Sequence, residues 1–240
     1  MTGTERKRIL RAAATATAPV FFGYLFVGLA FGLLMQKSGY GGLWAAACSL
    51  FVYAGSMQFV LVGLLLNPVG LLQTAVVTLA VNIRHAFYGL SMLEKFRAFG
   101  RCKPYMIFSL TDETYSLLCG VKPPEGVPEQ PFYFWISLLD HCYWVLGSLL
   151  GSTVGALLPF DSTGIDFALT ALFVVIFTEQ WLTAASHLPA LVGLGCGAGC
   201  LLLLGPENFL PPALLLTVAA LVLGRGKLEP RLAPEEVPQS

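Results

Sequence analysis

The stretch AAATATAPVFFGYLFVGLAFGLLMQ, residues 12–36, decides the fold class. It carries no formal charge, and it exceeds the roughly 20 apolar residues that one helix needs to cross about 30 Å of hydrocarbon. The scarcity of charge continues outward from it. Between Arg11 and Glu94 the only formal charges are Lys37 and Arg84. Over 240 residues the chain is 56% hydrophobic and 12% charged, and its mean hydropathy is +0.73. Soluble domains carry about twice that share of charge. The expectation is an all-α integral membrane protein, a polytopic helix bundle. A β-barrel is excluded because period-2 alternation is absent. A cleaved signal peptide is a poor reading of this first run, since the chain beyond it is just as apolar.

Composition removes other classes. Fourteen basic and fourteen acidic residues cancel, leaving no basic stripe for nucleic acid. The six cysteines form no C-x-x-C pair, and Cys196 and Cys200 have no His or carboxylate close by in sequence. No metal and no cofactor is expected. There is no H-E-x-x-H, G-x-S-x-G or Walker loop, so catalysis finds little support.

Span-like runs cover 12–36, 43–66, 69–90, 104–120, 131–158, 166–187, 188–205 and 210–224. Orientation follows from Lys and Arg in short loops. Arg6, Lys7, Arg8 and Arg11 place the N-terminus in the cytoplasm, and Lys95, Arg97, Arg101 and Lys103 place the 91–103 loop there too. Three full crossings would put that loop outside. One run must therefore fail to cross, and the break at Ala54-Gly55-Ser56 is the natural place. The Pro-rich segment 121–130 is then an extracellular linker between two transmembrane repeats, 12–120 and 131–224, followed by a polar cytoplasmic tail, 225–240.

An internal echo supports the division. Residues 49–59 align with 171–181, matching Ser56-x-Gln58 to Thr178-x-Gln180, and each half carries a G-x-x-x-G upstream, Gly28 to Gly32 and Gly151 to Gly155. With the second copy entering from outside, this predicts inverted-topology repeats with broken or re-entrant helices.

Ionisable groups at membrane depth cost several kcal/mol, on the order of 3 or more, so each needs a partner or a function. Five polar clusters stand out: Ser56 and Gln58; Asn82, Arg84 and His85, with Tyr88 one turn on; Asp112 and Glu113; Asp140 and His141; Glu179 and Gln180. Bland readings exist for each. Arg84 can snorkel to an interface. Thr111 and Asp112 can cap a helix near a surface. Asp140 and His141 can bridge helices, and Gln58 and Gln180 can be interhelical glue. Gly193, Gly195, Gly197 and Gly199 read as a close helix-packing face.

Four of these motifs, in order, resemble one family: Ala54-Gly55-Ser56-x-Gln58-Phe59, Asn82-x-Arg84-His85, Tyr88-Gly89-Leu90-Ser91 and Leu110-Thr111-Asp112-Glu113-Thr114. They resemble the AzlC family, large subunits of bacterial branched-chain amino acid exporters. The likeness runs from Ala18 to Gly205, is strong over 18–118 and in Asp140-x-x-Tyr143-Trp144, and loosens after 182. Met57 is bulkier than the small residue expected there, which narrows the substrate cavity. The resemblance implies a secondary transporter of the bacterial plasma membrane exporting Leu, Ile, Val and Met. It also implies proton coupling and a small hydrophobic AzlD-type second subunit.

A zwitterionic amino acid asks for donors to its carboxylate, acceptors for its ammonium, and an apolar pocket. Half-helix N-termini at 55–58 and 178–181, with Arg84, supply donors. Gln58, Glu113 or Glu179 supply acceptors, and Tyr53, Phe59, Phe87 and Trp181 offer apolar walls. The expected substrate-binding set is Ser56, Gln58, Asn82, Arg84, Tyr88, Glu179 and Gln180. The expected proton-coupling set is Glu113 first, then Asp112 and His85, with His141 a rival. Competing classes are a channel, an intramembrane enzyme and a pure assembly subunit.

Overall fold

A computed structural model describes residues 3–157, 174, 177–178, 181–182, 186–205 and 209–232. Regular structure among the described residues is entirely helical: α1 (Gly3–Lys37), α2 (Gly42–Phe51), α3 (Gly55–Leu66), α4 (Leu71–Ser91), α5 (Leu93–Arg97), a 3-10 turn (Gly100–Cys102), α6 (Lys103–Phe108), α7 (Asp112–Gly120), α8 (Glu129–Leu157), α9 (Leu188–Leu204) and α10 (Leu210–Leu232). Among these, α1 is long and apolar enough to cross a bilayer by length and composition alone. The chain forms two compact units, Met1–Pro68 with Val81–Ile165, and Val69–Ala80 with Asp166–Ser240.

In the first unit α1 and α8 lie side by side and run in the same direction. Ile9 and Ala13 share a buried cluster with Phe132 and Ile136, Tyr24 meets Trp144 edge to face at 5.3 Å, and Gln36 accepts from Ser152 Oγ at 2.9 Å. Their close approach is written in glycine. A Cβ at Gly32 would overlap the Ser148 backbone, and one at Gly151 would overlap Leu29. The two G-x-x-x-G motifs, expected to mark equivalent places in inverted repeats, are mates in one helix pair. Inverted repeats would need these two leading helices antiparallel. They are parallel, so the two G-x-x-x-G motifs give no support to an inverted repeat, which the described residues do not show.

The 43–66 run is two half-helices. α2 starts with Gly42 against Ser152 and reaches Ser49, whose hydroxyl donates to Ser148 at 2.7 Å and whose carbonyl faces His141 Nε2 at 3.1 Å. After the break at Val52–Ala54, α3 begins beside Trp144. At the break Tyr53 holds φ +41, a left-handed value that β-carbon sterics disfavour in any residue but glycine. α4 follows and passes Ser56 at Arg84 on its way to Met92, in the buried cluster at the N-terminal end of α1. α3 therefore turns back toward the end it came from, and α2–α3 is a hairpin that reaches only the middle of the unit.

The 104–120 run is also broken, which the sequence reading did not foresee. α6 brings Phe108 to 5.8 Å from His141, the chain turns through Ser109–Thr111, and α7 returns to Val121, whose carbonyl accepts from Tyr133. This second hairpin enters from the opposite end to the first. Both tips meet at His141, which stacks on Tyr53 at 4.2 Å.

One consequence concerns the 121–130 linker, expected on the opposite side from the basic N-terminus and the 91–103 loop. Arg8 donates to the Gly126 carbonyl, Lys95 sits 3.8 Å above the Tyr133 ring, and Ile9, Phe96, Phe99, Val127 and Phe132 share one cluster. All three segments lie at one end of the unit, because a hairpin brings the chain back where a full crossing would carry it away.

Many large apolar side chains lie outside, and several polar ones lie inside among the apolar core. Phe22, Phe26, Leu43, Trp44, Leu71, Leu72, Leu79 and Phe87 are exposed, while Ser49, Gln58, Thr114, Ser137, Asp140 and Ser148 are completely buried. Large apolar side chains exposed in such number suit an apolar surrounding. In the second unit α9 packs on α10. A Cβ at Gly193 would touch Thr217, whereas at Gly195, Gly197 and Gly199 it would meet nothing within 4 Å among the described residues. The expected glycine packing face thus reduces to Gly193.

Candidate functional site

The two hairpin tips bring four helix ends into the middle of the first unit. α3 and α7 present their N-termini there, which carry positive partial charge and unpaired N–H groups. Thr111 caps α7, its hydroxyl accepting from the Thr114 N–H at 3.3 Å. The cap was legible as a motif, but it lies 6% exposed at the tip and not at a surface.

Arg84 of α4 ties the two N-termini together. Its Nη2 donates to Ser56 Oγ, the second residue of α3, at 2.9 Å, and pairs with Asp112 Oδ2, the first residue of α7, also at 2.9 Å. The arginine is neither snorkelling nor saturated. Its Nε and the Asp112 Oδ1 are buried atoms without hydrogen-bond partners in the described structure, and so is Asn82 Oδ1. The two side chains are 30% and 37% exposed. Tyr88 stacks on Tyr115 at 4.4 Å beside this pair, and His85 contacts Tyr88 edge to face while its Nδ1 lies 3.2 Å from the Asn82 carbonyl. An ion pair with spare donors and acceptors, at two helix N-termini, can exchange its internal partner for a zwitterion's carboxylate and ammonium.

Ser56, Arg84 and Asp112 are thus brought together, with His85 and Tyr88 beside them on α4, whereas Asn82 is joined to the group only through its backbone carbonyl to His85. Gln58 is not. It is fully buried, its Oε1 accepts from Trp144 Nε1 at 2.8 Å, and its Nε2 faces Ser49 Oγ at 3.4 Å. Of the proposed apolar walls, Phe59 is buried against Phe31 at 5.7 Å, and Phe87 is exposed. Trp181 belongs to the second unit, where it stacks on His187 at 4.1 Å. Glu179 and Gln180 lie outside the described residues.

Glu113 is exposed, and its Oε2 accepts from Tyr24 Oη at 2.8 Å. Asp140 and His141, read in sequence as one cluster, divide their attention. Asp140 Oδ2 accepts from Thr114 Oγ1 of α7 at 2.9 Å, whereas His141 lies between the Ser49 carbonyl and the Tyr105 hydroxyl. Sequence reasoning missed Tyr24, read Tyr53 only as an apolar wall, and read Thr114 and Trp144 only as members of motifs. These ordinary core residue types show their roles only when the tips are placed against α1 and α8.

Comparison with known proteins agrees with these motifs. The family model described as AzlC protein matches residues 19–158. The chain is 40% identical over 219 residues, 91% of itself and 86% of the relative, to the branched-chain amino acid transport protein AzlC of Bacillus subtilis. It is 45% identical over 225 residues, 94% of itself and 99% of the relative, to an uncharacterized membrane protein of Helicobacter pylori. It is 28% identical over 164 residues, 65% of itself and 66% of the relative, to the inner membrane protein YgaZ of Escherichia coli. No solved structure matches. The matched span covers both hairpins, α4, α8 and the C-terminal half of α1, and on this basis the chain belongs to the AzlC family.

Proposed function

We propose that the chain is the large subunit of a bacterial plasma-membrane transporter that exports Leu, Ile, Val and Met. The observation that carries this is the Arg84–Asp112 pair, with its unsatisfied atoms, at the meeting point of two opposed hairpin tips. Discontinuous helices whose N-termini point at a central site are how transporters hold an amino acid's carboxylate. The exposed apolar exterior suits lipid, and the hairpins are then re-entrant, α2–α3 from outside and α6–α7 from the cytoplasm. Arg6, Arg8, Arg11, Lys95 and the 121–130 linker all fall on the cytoplasmic side, in keeping with the positive-inside rule.

On this reading substrate carboxylate takes Arg84 and Ser56, and the ammonium takes Asp112 and the Asn82 side-chain oxygen, with Tyr88 alongside. Glu113 carries the coupled proton, and a small AzlD-type subunit completes the exporter. Glu179 and Gln180 remain assigned to the substrate path on their sequence position alone. Alternating access comes from movement of the two tips against α1 and α8.

Cells loaded with Leu- and Met-containing dipeptides test the proposal, by the appearance of free amino acids outside. The chain is expressed alone, with a small AzlD-type partner, and with the partner plus Glu113→Gln. Saturable export that needs the partner and fails in the variant is the expected result. Absence of export of any neutral amino acid, with both proteins in the membrane, would overturn it.

A further inference from the structure

A continuous chain of oxygen atoms links exposed Glu113 to fully buried Asp140. Glu113 Oε2 lies 2.8 Å from Tyr24 Oη, which lies 2.5 Å from Thr111 Oγ1. Thr111 Oγ1 is 3.0 Å from Thr114 Oγ1, and Thr114 Oγ1 is 2.9 Å from Asp140 Oδ2. All four separations are hydrogen-bond distances, and each bond needs one proton between its oxygens. The three hydroxyls bring one proton each. The fourth must come from a carboxyl group.

From this count we propose that Glu113 and Asp140 share one proton, passed along Tyr24, Thr111 and Thr114. With the proton on Glu113, that carboxyl donates to Tyr24, Tyr24 to Thr111, Thr111 to Thr114, and Thr114 to the Asp140 carboxylate. With the proton on Asp140, every bond reverses and Tyr24 donates to the Glu113 carboxylate. The shift breaks four O–H bonds and forms four, and moves one charge between the ends without leaving a hydroxyl unpaired. Thr111 can serve both states, since its oxygen accepts the Thr114 N–H throughout.

The surroundings favour a single shared proton. Two ionised carboxylates would leave one contact of the chain without a hydrogen, inside a core where unpaired polar groups are expensive. The titratable and charged neighbours are Tyr24 on α1, Tyr53 at the first tip, Arg84 on α4, Tyr105 on α6, Asp112 on α7, and His141 and Cys142 on α8. Arg84 is engaged by Asp112, and His141 by Ser49 and Tyr105, so neither cation-forming group is bonded to Asp140. Asp140 Oδ1 is buried without a hydrogen-bond partner, and Tyr53 of the first tip faces Tyr24 and Thr114, so the inner end of the relay lies against that tip.

This deepens the proton-coupled reading and rests on it for its purpose, but its test does not need transport. The purified full chain is examined by infrared difference spectroscopy near neutral pH for the C=O stretch of a protonated carboxyl group. Wild type should show one such band. Glu113→Gln and Asp140→Asn should each lose it, because the new amide N–H supplies the missing donor and keeps the chain bonded. Tyr24→Phe, which cuts the relay, should lose it as well. Absence of the band in wild type, or its survival unchanged in any folded member of the three, would overturn the shared proton. If the band behaves as expected while export ignores the proton gradient, the relay stands and the coupling reading falls.

Discussion

The placement of Gln58 can be tested by asking whether it holds substrate or holds the fold. Gln58→Met keeps the side-chain length and removes the acceptor of Trp144 Nε1. Both groups are buried, so the indole N–H is left without a partner, at a cost of roughly 1–3 kcal/mol. Interhelical hydrogen bonds in membrane proteins fall lower in direct measurements, near 0.6 and up to about 1.7 kcal/mol. A loss of about 1–2 kcal/mol is therefore expected, which shifts the folding equilibrium by roughly 5–30-fold. Trp144→Phe orphans the Gln58 oxygen and leaves a cavity beside Tyr24 and Phe31, so it should cost more. The double variant carries neither orphan. Its loss should fall short of the sum of the singles by about 1 kcal/mol, since contacting residues couple by 0.5–3 kcal/mol. Denaturant or thermal unfolding of the detergent-solubilised protein supplies the three differences. Leucine affinity should stay near that of wild type in folded Gln58→Met. A stable Gln58→Met with lost leucine binding, or strictly additive effects, would refute the reasoning and return Gln58 to the substrate.

Two further outcomes follow from the packing and the topology. Gly32→Ala forces α1 from α8, because the added Cβ would overlap the Ser148 backbone, and overpacking of this kind costs about 1–3 kcal/mol; Gly63→Ala, with nothing within 4 Å among the described residues, should be neutral or slightly stabilising in the same unfolding assay. In a cysteine-free background, Glu125→Cys and Arg6→Cys should react with an impermeant thiol reagent from the same membrane face, and reaction from opposite faces would break the proposed topology.

The first hairpin was readable because two independent signals collided. Basic residues at 95–103 demanded a cytoplasmic loop, and an uninterrupted 43–66 span would have denied it. The Gly-Ser pair then showed where the chain could break, although the turn itself falls one step earlier, at Val52–Ala54. The second hairpin left no such contradiction. Its flanks, 91–103 and 121–130, differ in charge, and the milder charge of the linker made an extracellular place plausible. Thr111 announced a helix start, but an N-cap motif does not say how deep the helix begins. The G-x-x-x-G motifs show a different limit. Matching offsets in two halves can mean a repeat or a helix pair, and only the Gly32–Ser148 and Gly151–Leu29 approaches choose between them. Arg84, Asp112 and Ser56 could each be singled out from residue type and context, whereas their meeting depends on two tips and a helix lying far apart in sequence.

The most direct test of the account is equilibrium binding of radiolabelled leucine to the purified chain, with and without the proposed AzlD-type subunit, for wild type, Asp112→Asn and Arg84→Gln. Each substitution leaves the other charge of the pair without its partner, a cost on the order of 3 kcal/mol at membrane depth, so folding of both variants is verified by unfolding before binding is read. Hydrogen bonds to charged groups contribute about 1.5–3 kcal/mol, and 1.4 kcal/mol is tenfold in affinity. Saturable binding to wild type, weakened tenfold or more in each variant, is the predicted result. Binding equally tight in all three proteins, or no neutral amino acid bound by wild type, would contradict the assignment of Arg84 and Asp112 to the substrate.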